Sequence, residues 1–224
     1  MKPSVLRVVR RAVKTAVDVC ALVLVAPAAA TAWAERKLSQ YGESVFGLWA
    51  QVMAVIPGPP GVVVRRAFYR LTLDECHRDV FIGFGTIFTH RHARIAQGVF
   101  VGAYALIGCA VLRRGCLIGS KVSLLSGGGL HELRPDGTWS ATDPTRRRQI
   151  EIGEHAWIGE GATVLADVGA QTMVAAGAVV STSVPARIMV AGNPARFVRV
   201  LELRTPRPET EAGSTYVEGI PAVD

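Results

Sequence analysis

From Ile82 onward the aliphatic positions recur neither every second residue nor every third or fourth, but every sixth. Ile95-Ala96, Val101-Gly102 and Ile107-Gly108 keep this count, and after one short step Ile118-Gly119 resumes it, with Leu124 six further on. The same spacing returns as Ile152-Gly153, Ile158-Gly159 and Val164, and later as Val174-Ala175 and Val180. A period of two would predict half-buried strands and a period near 3.6 an amphipathic helix. A hexad with one inward aliphatic and a small neighbour predicts a β-helix of short strands, in which each coil is too thin to bury a core until another stacks on it. The small residue fits the bend, where bulk would collide with the adjacent coil. A β-sandwich would instead need alternation and Asn-Gly or Asp-Gly turns, which are scarce here.

The N-terminal third follows a different pattern. Thr15 to Ala34 is apolar except for Asp18, and a second apolar stretch, Ser44 to Val64, is cut by Pro57-Gly58-Pro59-Pro60-Gly61. About 20 residues just suffice for a helix to cross a hydrocarbon core, but Asp18 and Pro27 argue against a straight span. A helix or helical hairpin lying in or dipping into one leaflet fits better, with Trp33 and Trp49 as interfacial anchors. A cleavable signal peptide ending in the small residues of APAAATAWA is a rival reading, and a helix packed on the protein's own core is another.

Charge sharpens the contrast. Residues 1–70 hold ten Lys or Arg (Lys2, Arg7, Arg10, Arg11, Lys14, Arg36, Lys37, Arg65, Arg66 and Arg70) against Asp18, Glu35 and Glu43, so the whole net charge of +7 sits there. These cations flank apolar segments and accompany no nucleic-acid motif, which favours anionic membrane lipid over nucleic acid as the partner. A hydrophobic fraction of 50% points the same way. Cys20, Cys76, Cys109 and Cys116 show no CxxC spacing and read as small buried hydrophobes in a reducing compartment. The chain divides into a helical, membrane-associated region (1–70), a β-helix domain (71–200) interrupted by a polar, glycine-rich loop (125–149), and a Pro- and Glu-rich tail (201–224) without a fixed fold of its own.

Ile150 to Arg199, ending in AGNPAR, resembles the C-terminal coils of hexapeptide-repeat acyltransferases, the left-handed parallel β-helix group that includes galactoside, serine and polysaccharide O-acetyltransferases. The resemblance spans roughly residues 78 to 200. It implies an all-β left-handed fold, an exception to the usual right-handed crossover. It also implies a homotrimer, acetyl-CoA as acyl donor in a groove between neighbouring β-helices, and no metal. The stretch from Arg65 to Phe88 resembles a subgroup of envelope polysaccharide synthesis, which implies a saccharide or glycolipid acceptor at the cytoplasmic face of the bacterial inner membrane.

An irregular loop of about 25 residues in a compact domain is usually functional. In this family a loop histidine serves as general base, and His131 is the candidate here, since imidazole titrates near neutrality and can take the proton of an attacking hydroxyl. Relatives with an H-x-H pair use the earlier histidine, where this chain has glycine; His131 matches the second. Glu132, Asp136 or Asp143 would orient it, and Gly127-Gly128-Gly129 would offer N–H donors to the oxyanion. His90 and His92 are candidate acceptor contacts, His77 is structural, and His155 faces outward. Trp157 resembles the aromatic beside the pantetheine arm, with backbone of Gly159, Ala176 and Gly177 as its edge. Arg196 and Arg199, three apart on a helical turn, would meet the CoA phosphates. Arg146-Arg147-Arg148 is either a solvated face or a lure for an anionic acceptor. Two other classes remain open: a non-catalytic trimeric scaffold, and a zinc hydratase similar to γ-carbonic anhydrases.

Overall fold

The computed structural model of the protein describes residues 3–39, 41–126, 131–141 and 143–202. Three helices come first: α1 (Pro3–Leu38), α2 (Ser44–Ala54) and α3 (Gly58–Thr72). The second apolar stretch is broken at its prolines as expected, but α1 runs through Pro27 without ending, so the region is a three-helix assembly rather than a hairpin. Pro59 and Pro60 fall in the first turn of α3, where a missing N–H costs nothing.

The rest is a left-handed parallel β-helix with three faces. The first face stacks β1 (Glu75–Cys76), β4 (Arg94–Ile95), β7 (Ala110–Leu112) and β10 (Ile150–Ile152). The second stacks β2 (Phe81–Ile82), β5 (Phe100–Val101), β8 (Leu117–Ile118), β11 (Trp157–Ile158), β13 (Met173–Val174), β15 (Ile188–Ala191) and the antiparallel β16 (Arg196–Val200). The third stacks β3 (Ile87–Phe88), β6 (Leu106–Ile107), β9 (Ser123–Leu124), β12 (Thr163–Val164) and β14 (Val179–Val180). Every hexad aliphatic from Ile82 to Val164 points inward and is fully buried. The short step in the sequence is resolved by Leu112, a buried position five residues after Ile107.

Glycine is required where coils approach. A Cβ on Gly159 would lie 2.5 Å from the Ala176 nitrogen of the next coil. No side chain fits there without prising the coils apart.

The helices close the first coil through buried arginines. The Arg65 side chain, without exposure, donates from Nε to the Ile82 carbonyl (3.1 Å) and from Nη1 to that of Ile56 (2.7 Å) and of Met53 and Ala54 (3.3 Å each). It thereby satisfies carbonyls left open at the end of α2 and ties them to β2. Arg91 does the same on the other side, donating to the Ala32 and Gly42 carbonyls (2.9 Å each) and to Glu35 (2.8 Å). Asp18 is buried against Arg66 at 2.5 Å, with Arg78 at 3.6 Å. All three acids of residues 1–70 are thus neutralised by arginine, and one flank of α1 packs on the protein's own core through Ala21, Val25, Ala28 and Ala32.

Candidate active site

Three features of the β-helix surface bear on chemistry. The first is a groove of about 570 Å³ on the second face. Strand register sets Phe100, Leu117, Trp157 and Met173 one above another, because successive coils pair residue for residue with no shift. These outward side chains form its apolar wall, and Gly119, Gly159 and Ala176 supply an edge of backbone. Trp157, Gly159 and Ala176, singled out separately in the sequence, therefore meet in one place. Gly177 follows on the adjoining bend with φ +68° and open space around its Cα.

Arg196 and Arg199 are not on a helical turn. They lie on β16, where a spacing of three would normally send two side chains to opposite faces. A bulge between Met189 and Val190 absorbs one residue, so that Arg196 pairs with Ala191 and Arg199 with Met189. Both partners face away from buried Val190, so both arginines project from the same outer face. Each is exposed and without a carboxylate partner among the described residues.

The second feature is the interrupting loop. His131 is exposed, and its Nδ1 lies 2.8 Å from the Ser140 carbonyl. A carbonyl can only accept, so Nδ1 carries the hydrogen, and Nε2, which has no partner among the described residues, is the nitrogen a general base would use. The orienting group is thus a backbone carbonyl, not one of the carboxylates expected from the sequence. Glu132 pairs with Arg146, Asp136 accepts from Thr138, and Asp143 accepts from the Thr145 N–H at the start of a 3-10 turn, Pro144–Arg146. Gly127, Gly128 and Gly129 lie outside the described residues, as does the tail from 203 onward. The three consecutive arginines part ways: Arg146 and Arg148 stay on the solvated surface, paired with Glu132 and with Asp167 (2.5 Å), while Arg147 turns inward to Glu43 (2.8 Å). Arg147 and Arg148 fasten the loop's end to the start of α2 and to a neighbouring coil, and Arg146 closes the loop on itself.

The third feature is a polar cleft of about 280 Å³ where the α1–α2 connection, the first coil and the end of the loop converge. His92 lines it, its Nδ1 3.0 Å from Asp74 Oδ2, while Arg36 occupies the other oxygen of the same carboxylate at 3.0 Å. Tyr41, Arg94 and Gln149 complete the opening, and the Gln149 amide donates to the His92 carbonyl. His90 goes elsewhere. Its Nδ1 is 2.6 Å from Glu43, which also accepts from the Arg91 N–H and from Arg147. Burial raises the Glu43 pKa, but the hydrogen bonds from His90 and Arg91, with the charges of His90 and Arg147, outweigh it and hold the group at about 2. His90 is thus part of an ion-pair cluster that locks α2 to the first coil, and only His92 faces open space. His155 caps Gly115 of the neighbouring coil, and His77 Nδ1 accepts from the Asp79 N–H.

The sequence reading missed Glu43 and Asp74 as parts of the polar cleft, and named Arg147 only as one of three arginines. The available signal was the rarity of acids in the first 70 residues, since a lone carboxylate in an apolar stretch needs a partner. Three cysteines are at least half-buried, as expected, but Cys20 is exposed on α1.

Comparison with solved structures places this architecture. No family model matches the chain, and no curated protein does either. A galactoside acetyltransferase in complex with coenzyme A superposes with a TM-score of 0.59 at 17% identity, covering 71% of this chain and 81% of that one. A maltose O-acetyltransferase from Clostridium difficile 630 gives 0.56 at 15%, covering 72% and 87%. A hexapeptide-repeat-containing acetyltransferase from Vibrio cholerae O1 biovar eltor, complexed with acetyl coenzyme A, gives 0.53 at 22%, covering 62% and 76%. The chain shares their fold.

Proposed function

We propose that the chain is an acetyl-CoA-dependent O-acetyltransferase whose acceptor is a saccharide or a lipid-linked glycan precursor of the cell envelope. It acts as a homotrimer held at the cytoplasmic face of the bacterial inner membrane. The observation that carries this reading is the groove lined by Trp157 and by the backbone edge of Gly159 and Ala176, on a fold shared with acetyltransferases bound to coenzyme A or acetyl-CoA. A groove with an aromatic, apolar wall and an edge of backbone fits a pantetheine arm, whose methylenes need cover. Arg196 and Arg199, exposed on one face at the end of that stack, fit the nucleotide phosphates.

Acetyl-CoA would supply the acyl group as a thioester. His131 Nε2 takes the proton of the acceptor hydroxyl as its oxygen attacks the thioester carbonyl. The carbon–sulfur bond then breaks, and the imidazolium returns the proton to the departing thiolate, so ester and free thiol are the products. The cleft around His92 is the acceptor's polar contact, with Asp74 fixing the ring. Attachment of enzyme and acceptor to one surface raises their encounter rate.

Transfer of label from acetyl-CoA into envelope extract tests this. Wild type labels a glycan or glycolipid, and His131→Ala lowers the rate by about 10² to 10⁴ while coenzyme A binding is unchanged. Equal rates would remove His131 from the chemistry. No transfer by either protein, with coenzyme A binding absent as well, would leave a non-catalytic scaffold.

A further inference from the structure

We infer that the chain docks flat in one leaflet of an anionic membrane through the free flank of α1 and the first turn of α3, without crossing the bilayer. The free flank of α1 is made of apolar residues such as Val17, Cys20, Val23, Leu24 and Trp33, all exposed, and it carries no acid. It continues across a shallow apolar trough of about 390 Å³ onto Pro59, Pro60 and Val63 of α3. A second trough, of about 500 Å³, extends the surface to Phe81 and Phe84 on the first coil. An apolar surface of this extent marks an interaction site.

Two observations choose the occupant. Besides the internally paired Lys14 and Arg36, cations bracket the apolar stretch in the sequence, with Lys2, Arg7, Arg10 and Arg11 before it and Lys37 after it, which matches anionic headgroups at both ends of an embedded helix. The ties of the opposite flank choose the orientation. Lys14 reaches Asp79, Asp18 is held by Arg66 and Arg78, the Ala32 carbonyl accepts from Arg91, and Arg36 holds Asp74. These contacts fasten α1 to the β-helix and α3 over roughly 33 Å of helix. For α1 to stand across a bilayer, the charged residues Asp74, Arg78, Asp79 and Arg91 would have to enter hydrocarbon beside it, at prohibitive cost. A helix bound along one flank and apolar along the other lies in the membrane plane.

This deepens the membrane attachment proposed above. Its measurements contain no transfer step, so either reading can fail alone. Cys20 is the exposed thiol and sits in the docking flank. In the full chain, a membrane-impermeant maleimide labels Cys20 without lipid, and vesicles of phosphatidylethanolamine and phosphatidylglycerol slow that labelling by about tenfold or more. Val17→Asp with Leu24→Asp restores labelling and lowers vesicle binding by a similar factor, with an unchanged melting temperature. In a Cys20→Ser background, Lys14→Cys on the tied flank and Ser39→Cys just past the end of α1, both at exposed positions, are labelled from outside the vesicles. Labelling of only one of these two from outside would mean that α1 crosses, and overturn the inference. Equal Cys20 labelling with and without vesicles would overturn it too. So would protection of Cys20 in a lipid-free oligomer, relieved by the double variant, because the flank would then belong to a second copy of the chain.

Discussion

The β-helix and the helical region arrange the same kinds of side chain in opposite ways. In the coils the hexad aliphatics are sealed inside, from Ile82 through Ile118 to Val164, and the charged residues stand outside except for Arg91 in the first coil. In the helical region Arg65 and Asp18 are buried while Val23 and Leu24 are about 70% exposed. The first arrangement suits a body surrounded by water. The second leaves apolar surface that water does not favour and spends charge on internal ties, which suits a body with water on one side and a second apolar medium on the other.

Four changes test that contrast. The largest effect is expected at Arg91, because Arg91→Ala takes the side-chain donor from the Ala32 and Gly42 carbonyls and the counter-charge from Glu35 in a buried place; a loss of about 3–5 kcal/mol should appear in denaturant unfolding. If the loss is small, the internal ties are not what holds the helices. Next is Ile118→Ala, which opens a cavity in the column and should cost about 2–4 kcal/mol on the same measurement.

Glu43→Gln comes third, at about 2–3 kcal/mol near neutral pH. The folded carboxylate, held at about 2, lies below its ordinary value of 4.5, so its contribution is complete above pH 4.5 and disappears as pH falls toward 2. The difference in melting temperature between wild type and Glu43→Gln should therefore shrink across that window; a difference independent of pH would mean that the ionised form is not the stabilising one. The smallest effect belongs to Leu24→Asp, which should change stability in water by no more than about 0.5 kcal/mol. A loss as large as that of Ile118→Ala would show the flank to be core.

Much of this was legible along the chain. The hexad named the architecture because each inward aliphatic is separated from the next by one short strand and one bend, a purely local rule. Trp157, Gly159 and Ala176 were legible by resemblance, and the unshifted register of the coils then brought them into one groove. Arg196 and Arg199 show where local reasoning fails: they share a face, as expected, but through a bulge in β16 rather than a helical turn. His90 and His92, two residues apart, looked equivalent, yet one is consumed by Glu43 and the other opens onto a cleft. Arg146, Arg147 and Arg148 looked like a single patch and were divided among Glu132, Glu43 and Asp167.

By itself, then, the sequence determined what depends on neighbours a few residues away: the coils, the break between α2 and α3, the extent of the interrupting loop and the apolar character of α1. Tertiary structure alone decided which flank of α1 is buried, which carboxylate each arginine takes and which histidine stays free. Those outcomes depend on pairings such as Glu43 with Arg147, 104 residues apart, and no local pattern encodes which of several opposite charges folding will bring within reach.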